Sequence, residues 1–244
     1  MKRMLTLIGL CFFFTACLNT KKITYFNDVT QRSGVDSSGN ASPLLIEPGD
    51  ILQITITTVD KDVSAMFNPH TEGPAQGYMV DASGNIELPV MGKLQVKGMT
   101  TAQINERIKA LANQTLKDAY ISTRLANLRV SVLGDVAKPG SYPVQGERVS
   151  ILDALSLAGD ANTTAVRSDV MLIREEDGVK RYVSLDLNDS KLLSSPYYYL
   201  KNNDVIYVKP GRNKVFAQSR GVILLPTIIA ALSLITTLII ISRN

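Results

Sequence analysis

The sequence has few of the residues that most often carry metal or redox chemistry. Its 244 residues include no Trp, a single His (His70) and only two Cys, Cys11 and Cys17. No Cys and His residues have the spacing of metal ligands, so neither a metal nor another cofactor is expected. The G-x-x-x-x-G-K-[ST] run of a phosphate-binding loop is also absent.

The chain also lacks a strong charge of one sign. Its formal net charge is +4, and removal of Lys2 and Arg3 with a leader segment leaves +2. The basic residues are scattered along the chain, which argues against nucleic acid as a partner. A composition of 45% hydrophobic and 20% charged residues argues against intrinsic disorder. The length allows one or two modest domains.

Residues 1–16 have the pattern of a secretory signal peptide, with a short basic start followed by an apolar stretch. The sequence that ends in Cys17 resembles a bacterial lipobox, which implies cleavage before this cysteine and lipidation of it. The alternative is ordinary cleavage after Ala16, with Cys17 left as a free thiol. Lipidation would leave the mature chain without a free thiol, as suits an oxidising envelope compartment.

Residues 17–43 are interpreted as the lipidated N-terminus and a linker, because Ser, Gly, Asn and Asp dominate them without hydrophobic periodicity. Ile23, Tyr25 and Phe26 interrupt this polar stretch, and they are expected either to pair as a short strand or to pack on a neighbouring element. Leu18, the second residue of the mature form, favours sorting to the outer membrane by analogy with other lipoproteins.

Residues 44–125 form the first predicted domain. Alternating apolar residues predict a strand within 45–60, and two short runs around Gly84 predict a hairpin over 78–89. A helix is expected after Thr100, because Gln103 completes a capping box three residues later.

Residues 126–211 form the second predicted domain. Ser150 and Asp153 predict the capped start of a short helix. Strands are expected over Leu128–Gly134, Val170–Arg174, Val179–Leu185 and Val205–Val208. The whole chain is therefore expected to be α+β, with two small β-rich domains before its last helix.

Four stretches of sequence, two in each predicted domain, allow the family to be identified. The first predicted domain resembles the N-terminal domain of the bacterial polysaccharide biosynthesis/export family in two stretches, LLIEPGDILQITI and YMVDASGNIELPVMGKLQVKGMTTAQINERI. The second predicted domain resembles the soluble-ligand-binding β-grasp domain that follows the N-terminal domain in that family. The resemblance lies in the stretches VSVLGDVAKPGSYPVQGERVSILDALSLAGD and LKNNDVIYVKP. The chain has one such β-grasp copy, where the best-known capsule exporters have more, so a shorter periplasmic stalk is implied.

The resemblance implies an outer-membrane lipoprotein that assembles with itself into a closed ring of about eight copies. The ring would be a passive conduit for capsular polysaccharide or exopolysaccharide. The implied partners are the polysaccharide chain, membrane lipid and an inner-membrane polysaccharide co-polymerase, often a tyrosine kinase.

Residues 222–241 are twenty uncharged, mainly apolar residues. As a helix they would extend roughly 30 Å, enough to cross the hydrocarbon core of a bilayer. The alternative is a buried core helix, although such helices usually have a polar face. One face carries small, weakly polar residues, interpreted either as a helix-packing stripe or as a lumen-facing stripe: Pro226, Ala230, Ser233 and Thr237. The opposite face carries Ile228, Leu232, Ile235 and Ile239.

The residues that could suggest catalysis have simpler explanations. His70 lies in a loop rich in Pro and Gly, and the acidic run 175–177 lies with Gly178 in the turn expected between two strands of a hairpin. Asp50 and Asp204 are expected to fix turns through hydrogen bonds to the backbone. The aromatic run Tyr197, Tyr198 and Tyr199 is either a weak sugar contact or a set of ordinary strand residues.

A conduit without enzymatic activity is therefore the main functional prediction. The principal alternative is a periplasmic sugar-binding or scaffolding adapter without its own pore. An envelope enzyme that trims polysaccharide, and a location in the inner membrane, are further alternatives.

Overall fold

The computed structural model contains two separate hydrophobic cores followed by a long terminal helix. The predicted signal peptide (1–16), Cys17 and His70 lie outside the residues that it describes. The described residues are 23–29, 43–59, 62, 64–65, 68, 77–113, 119–176, 178–212, 214 and 220–242.

The elements around the first core, residues 43–126, are called the first unit. Strand β1 pairs antiparallel with β2 on one side and β5 on the other, while β3 and β4 form a separate hairpin. Helix α1 packs against these strands through its buried residues. The elements are β1 (Ile51–Thr57), β2 (Tyr78–Met79), β3 (Asn85–Leu88), β4 (Gly92–Gln95), α1 (Thr101–Ala112) and β5 (Tyr120–Leu125).

The local predictions for the first unit are confirmed at β1 and α1. In β1, Leu52, Ile54 and Ile56 point into the core while the residues between them are more exposed. Thr100 and Gln103 form both hydrogen bonds of the capping box. The helix therefore begins where its sequence provides acceptors for otherwise unpaired N–H groups.

The predicted hairpin over 78–89 is wrong. The turn itself forms, because the Asp81 carboxylate accepts hydrogen bonds from the backbone N–H groups of Ser83 and Asn85, both at 2.9 Å. The flanking strands then separate: β2 pairs with β1, and β3 pairs with β4. The reason is strand length: β4 offers β3 an antiparallel partner of four residues, whereas β2 has only two.

The elements around the second core, residues 128–211, are called the second unit. They form one five-stranded mixed sheet in the order β7-β6-β10-β8-β9, in which β6 and β10 are parallel neighbours. Helix α2 begins with the predicted capping box of Ser150 and Asp153. The elements are β6 (Arg129–Gly134), β7 (Gly140–Pro143), α2 (Ile151–Leu157), β8 (Ala165–Glu176), β9 (Val179–Leu185), a 3-10 helix (Ser190–Ser194) and β10 (Val205–Pro210).

Strand β8 is longer than predicted at both ends. It begins at Ala165 instead of Val170 and continues through Glu176, where a turn was expected. Cross-strand pairing explains both extensions. At the start of β8, Ala165 lies opposite Pro210 of β10; at its end, Glu175 lies opposite Lys180 and Glu176 opposite Val179 of β9. The predicted strand β9, Val179–Leu185, is confirmed.

Helix α3 spans Arg220–Ser242 and contains Pro226, whose missing N–H removes one hydrogen bond of the helix. Side chains at 220–223, 225, 236, 239 and 240 are outside those described. Taken over the described residues alone, none of the helices combines the length and apolarity needed to cross a membrane. The predicted membrane-spanning helix over 222–241 is thus present as a helix, but its membrane span is not confirmed.

Candidate functional surfaces

Asp50 lies at the junction between the two units and is buried. Its Oδ2 accepts a hydrogen bond from the Glu47 backbone N–H at 2.9 Å, which confirms the predicted turn-fixing role. Its Oδ1 accepts a second bond from Nδ2 of Asn202 in the other unit, at 2.8 Å. Burial raises the pKa of the Asp50 carboxyl, and these two hydrogen bonds oppose that effect.

Two asparagine side chains complete this junction. Asn202 Oδ1 accepts from the backbone N–H of Arg129 at 3.0 Å. Asn127, between the two units, accepts from the Ile51 backbone N–H at 2.9 Å and donates to the Gly49 carbonyl at 3.2 Å. The junction is therefore held by directional polar contacts, which sequence analysis missed because the partners are far apart in the chain.

Asp204 combines the predicted turn role with a buried ion pair. Its Oδ2 accepts from the Lys201 backbone N–H at 2.7 Å, the same three-residue arrangement as at Asp50. Arg174 approaches the same carboxylate with Nη2 at 2.7 Å and Nε at 3.0 Å. This two-point contact connects β8 to the turn that precedes β10.

The three tyrosines that were candidate sugar contacts occupy different surroundings. They follow the 3-10 helix in a turn, so the strand interpretation is wrong; Tyr199 forms only an isolated bridge to Ser150. Tyr198 packs against the second core and meets Tyr199 edge-on, with ring centroids 5.1 Å apart. Tyr197 is 38% exposed.

Arginines lie over the two outer tyrosine rings. The guanidinium carbon of Arg174 is 5.7 Å from the Tyr197 ring centroid, and that of Arg148 is 5.7 Å from the Tyr199 ring centroid. These are cation–π contacts that hold the rings in place. Because each arginine occupies one face, a sugar could stack only on the other face of either ring.

A further polar cluster lies where the chain leaves the second unit towards α3. Asp135, which is fully buried, accepts from Asn162 Nδ2 at 2.8 Å and from the Thr164 hydroxyl at 2.6 Å. Lys214, beyond β10, donates to the same carboxylate and forms an ion pair with it. Burial alone would raise the pKa of Asp135, but Lys214 and the two polar neighbours outweigh burial and hold the pKa below its usual value.

The predicted stripe on α3 is exposed, and its hydroxyl groups are satisfied within the helix. Ser233 Oγ donates to the Ala230 carbonyl and Thr237 Oγ1 to the Ser233 carbonyl, both at 2.8 Å. Such bonds satisfy the hydroxyl groups where no water is present. Pro226 and Ala230 complete the stripe. On the opposite face, the side chain of Ile239 lies outside those that the structure describes.

Eight large apolar side chains of α3 are each more than half exposed. No contact with either core covers them in the described part of the chain. An apolar surface of this extent indicates a membrane or a protein partner. The residues are Leu224, Ile228, Ile229, Leu232, Leu234, Ile235, Leu238 and Ile241.

Comparison with protein families matches both units in succession. A family model described as polysaccharide biosynthesis/export protein matches residues 38–126, and one described as SLBB domain matches residues 128–208. The chain is therefore a protein of two successive α+β units, each matched by its own family model. The chain belongs to the polysaccharide biosynthesis/export family.

Curated relatives agree with this assignment. The chain is 27% identical over 192 residues to the EPS I polysaccharide export outer membrane protein EpsA of Ralstonia nicotianae, which covers 72% of this chain and 50% of the relative. EpsA of Ralstonia solanacearum has the same identity and coverage. The exopolysaccharide production protein ExoF of Rhizobium meliloti is 33% identical over 103 residues, covering 41% of this chain and 22% of ExoF. The chain thus spans about half the length of the EpsA proteins it matches.

Proposed function

We propose that this protein is the outer-membrane component of an exporter of capsular polysaccharide or exopolysaccharide. The observation that carries the proposal is the succession of two family matches on two separate cores. Relatives that match across both regions are named as polysaccharide export outer membrane proteins. The proposed role is passive and not enzymatic, with transport driven by chain growth and an inner-membrane co-polymerase.

The proposed conduit is a ring of about eight copies, closed by rotational symmetry. Its membrane part would be a barrel of α3 helices, since each helix satisfies its own backbone hydrogen bonds within lipid. The exposed apolar residues of α3 support this placement. Lipidation of Cys17, after removal of residues 1–16, would provide a second membrane attachment.

Within such a barrel, we place the stripe that contains Ala230 and Ser233 against the neighbouring helix. Small residues allow close approach of helices in lipid. The hydroxyl groups already donate to backbone carbonyls, so they do not require the water of a lumen. Residues 44–125 and 126–211 would be the two domains that form the periplasmic part of the ring.

Deletion of the gene, with measurement of extracellular polysaccharide, tests the export role. The deletion strain is expected to lose extracellular polysaccharide, and the wild-type gene is expected to restore it. A Cys17→Ser variant that fails to restore export would link function to the proposed lipidation. Unchanged extracellular polysaccharide in the deletion strain would contradict the proposed function.

The second candidate function is an adapter without its own pore. The observation that favours it is the weak polarity of α3, whose described stripe hydroxyls are paired within the helix. Conductance of the purified full-length protein in planar bilayers separates the two functions. Stable conductance steps support a conduit, whereas an adapter produces none.

A further inference from the structure

The segment 23–29, called the N-terminal strap, lies on the second unit although the chain continues from it into the first unit. Backbone hydrogen bonds fix its position: Phe26 N–H donates to the Leu187 carbonyl at 3.2 Å, and Asn27 N–H donates to the Asn188 carbonyl at 2.7 Å. Tyr25 and Phe26 also pack against the second core. Of the two alternatives for these aromatic residues, the packing one is therefore confirmed, and the strap forms part of the second unit's surface.

Tyr25 makes the most specific contacts of the strap. Its hydroxyl donates to the carboxylate of Asp160, and its ring centroid is 5.4 Å from the guanidinium carbon of Arg167. Burial, together with the hydrogen bond to Asp160, raises the pKa of Tyr25 to about 12. The hydroxyl therefore remains protonated, and remains a donor, throughout the physiological range.

Arg167 explains why an aromatic ring is needed at this position. Arg167 is only 4% exposed, and its Nη1 and Nη2 groups donate to the backbone carbonyls of Asn162 and Ala161 at 3.2 and 2.7 Å. Its Nε has no partner among the described atoms. A buried guanidinium is costly unless its charge is compensated, and the face of Tyr25 supplies part of that compensation.

Asp28 fixes the other end of the strap. Its Oδ1 accepts from the Ser190 backbone N–H at 2.8 Å and its Oδ2 accepts from the Ser190 hydroxyl at 2.5 Å, at the start of the 3-10 helix. The hydrogen bond from the Ser190 hydroxyl is the main cause that lowers the pKa of Asp28. The carboxylate is thus charged at neutral pH and accepts both bonds.

Phe26, between these two contacts, has φ of 51°. A non-glycine residue in this left-handed region is unfavourable and persists when its surroundings determine the conformation. Aromatic, backbone and carboxylate contacts on successive residues provide that determination. A nonspecific hydrophobic collapse would not require this combination of partners.

We propose that the N-terminal strap is a clamp that holds the N-terminal end of each chain on its own second unit, with Tyr25 as the main holding residue. The linker between the strap and the first unit then joins two fixed points. A pull on the N-terminus reaches the second unit directly, without passing through the first unit. The clamp does not depend on the proposed export function or on lipidation.

Cysteine cross-linking in the full-length protein tests the clamp. One N–H···O=C bond of 2.7 Å joins Asn27 to Asn188, so their α-carbons lie at most about 6.6 Å apart, within disulfide range. The double variant Asn27→Cys/Asn188→Cys is oxidised mildly in membranes. It is expected to form an intrachain disulfide, detected by faster non-reducing gel migration and by mass spectrometry of the linked peptides.

Two controls accompany this variant. The wild-type chain, without engineered cysteines, shows any background cross-linking through Cys11 and Cys17. Asn27→Cys combined with Tyr182→Cys places the second cysteine on β9, at a residue that is 77% exposed and lies six positions before Asn188. This pair is expected to form no intrachain disulfide.

Further substitutions in the double-cysteine variant test the role of Tyr25. Tyr25→Ala is expected to slow cross-linking about tenfold, equivalent to roughly 1.4 kcal/mol. Tyr25→Phe, which keeps the ring over Arg167 but loses the hydroxyl, is expected to have an intermediate rate. Val29→Ala is the matched control, because Val29 is 54% exposed within the same strap, and is expected to leave the rate unchanged.

The outcomes are distinct. An intrachain disulfide that Tyr25→Ala slows supports the clamp. An interchain disulfide would overturn it, because the strap would then lie on a neighbouring copy. Absence of cross-linking in folded protein, or a Tyr25→Ala rate equal to that of the parent, would also overturn it. The clamp and the proposed function can fail independently. Cross-linking in a protein that does not support export would contradict only the proposed function, and export without cross-linking would contradict only the clamp.

Discussion

The two units bury polar groups in very different ways. In the described part of the first unit, the buried polar residues are Asp50 and Thr123, beside an otherwise apolar core. The second unit buries four residues with charged side chains, Asp135, Arg167, Arg174 and Asp204, as well as Ser150. The first unit is therefore held mainly by hydrophobic burial, whereas the second also depends on compensated buried charges.

The buried charges of the second unit lie where other parts of the chain attach. Arg167 meets the N-terminal strap, and Asp135 binds Lys214 on the way to α3. Asp204 fixes the turn whose Asn202 contacts Asp50 of the first unit. The comparison indicates that the second unit is the part of the protein to which the strap, the terminal helix and the first unit are all connected.

Loss of Arg174 should have the largest effect on this comparison. Arg174→Ala leaves the carboxylate of Asp204 buried without its counter-charge, which is expected to cost about 3–5 kcal/mol of unfolding free energy. Hydrogen exchange resolved by peptide should show faster exchange in the second unit, with little change in β1 and α1.

The matched control is Lys180→Ala, which removes an exposed ion pair with Glu175, 3.9 Å long, on the same hairpin. That pair is expected to contribute at most about 1 kcal/mol. Equal effects of the two substitutions would show that the buried charge is not what distinguishes the second unit.

An intermediate effect is expected from Asn202→Ala at the junction. The substitution removes the hydrogen bond to Asp50 and the acceptor of the Arg129 backbone N–H, and is expected to cost about 1–3 kcal/mol. Exchange of the Arg129 amide hydrogen should accelerate. Lys201→Ala is the control, since its ion pair with Glu176 lies within the second unit; acceleration at Arg129 in both variants would count against a specific junction.

The smallest predicted effect is a difference in pH dependence between the units. Burial raises the pKa of Asp50, so its charged form destabilises the fold above that pKa. This penalty is relieved as the pH falls through the raised pKa towards the unfolded value of about 3.9. The free energy of unfolding, measured with urea, should therefore rise for the wild-type protein relative to Asp50→Asn when the pH is lowered from 7 to 4.5.

Asp135 should show the opposite sign. Its lowered pKa contributes stability above the unfolded value of about 3.9, and that stability is lost as the pH falls through the lowered pKa. Relative to Asp135→Asn, the wild-type protein should lose stability only in strongly acidic solution. The same sign for both aspartates would contradict the assigned electrostatic environments.

Local sequence patterns predicted the parts of the fold that depend on neighbouring residues. The capping boxes at Thr100 and Ser150 and the alternation in β1 are confirmed, because their partners lie within a few positions. The turn roles of Asp50 and Asp204 are confirmed for the same reason.

Contacts between distant residues could not be predicted in this way. Tyr25 and Asp160 are 135 positions apart, and Asp50 and Asn202 are 152 positions apart. The hairpin over 78–89 failed because strand pairing is decided by the partners available in the folded unit. Asp135 had no sequence signal, since its partners come from two separate later segments.

Single-particle imaging of the detergent-extracted, full-length protein tests most directly whether many copies assemble into one conduit. We expect closed rings with a central opening, in which the second units lie next to the detergent-covered α3 helices. Particles that are monomeric at all concentrations, or rings whose first units adjoin the detergent, would contradict the proposed conduit.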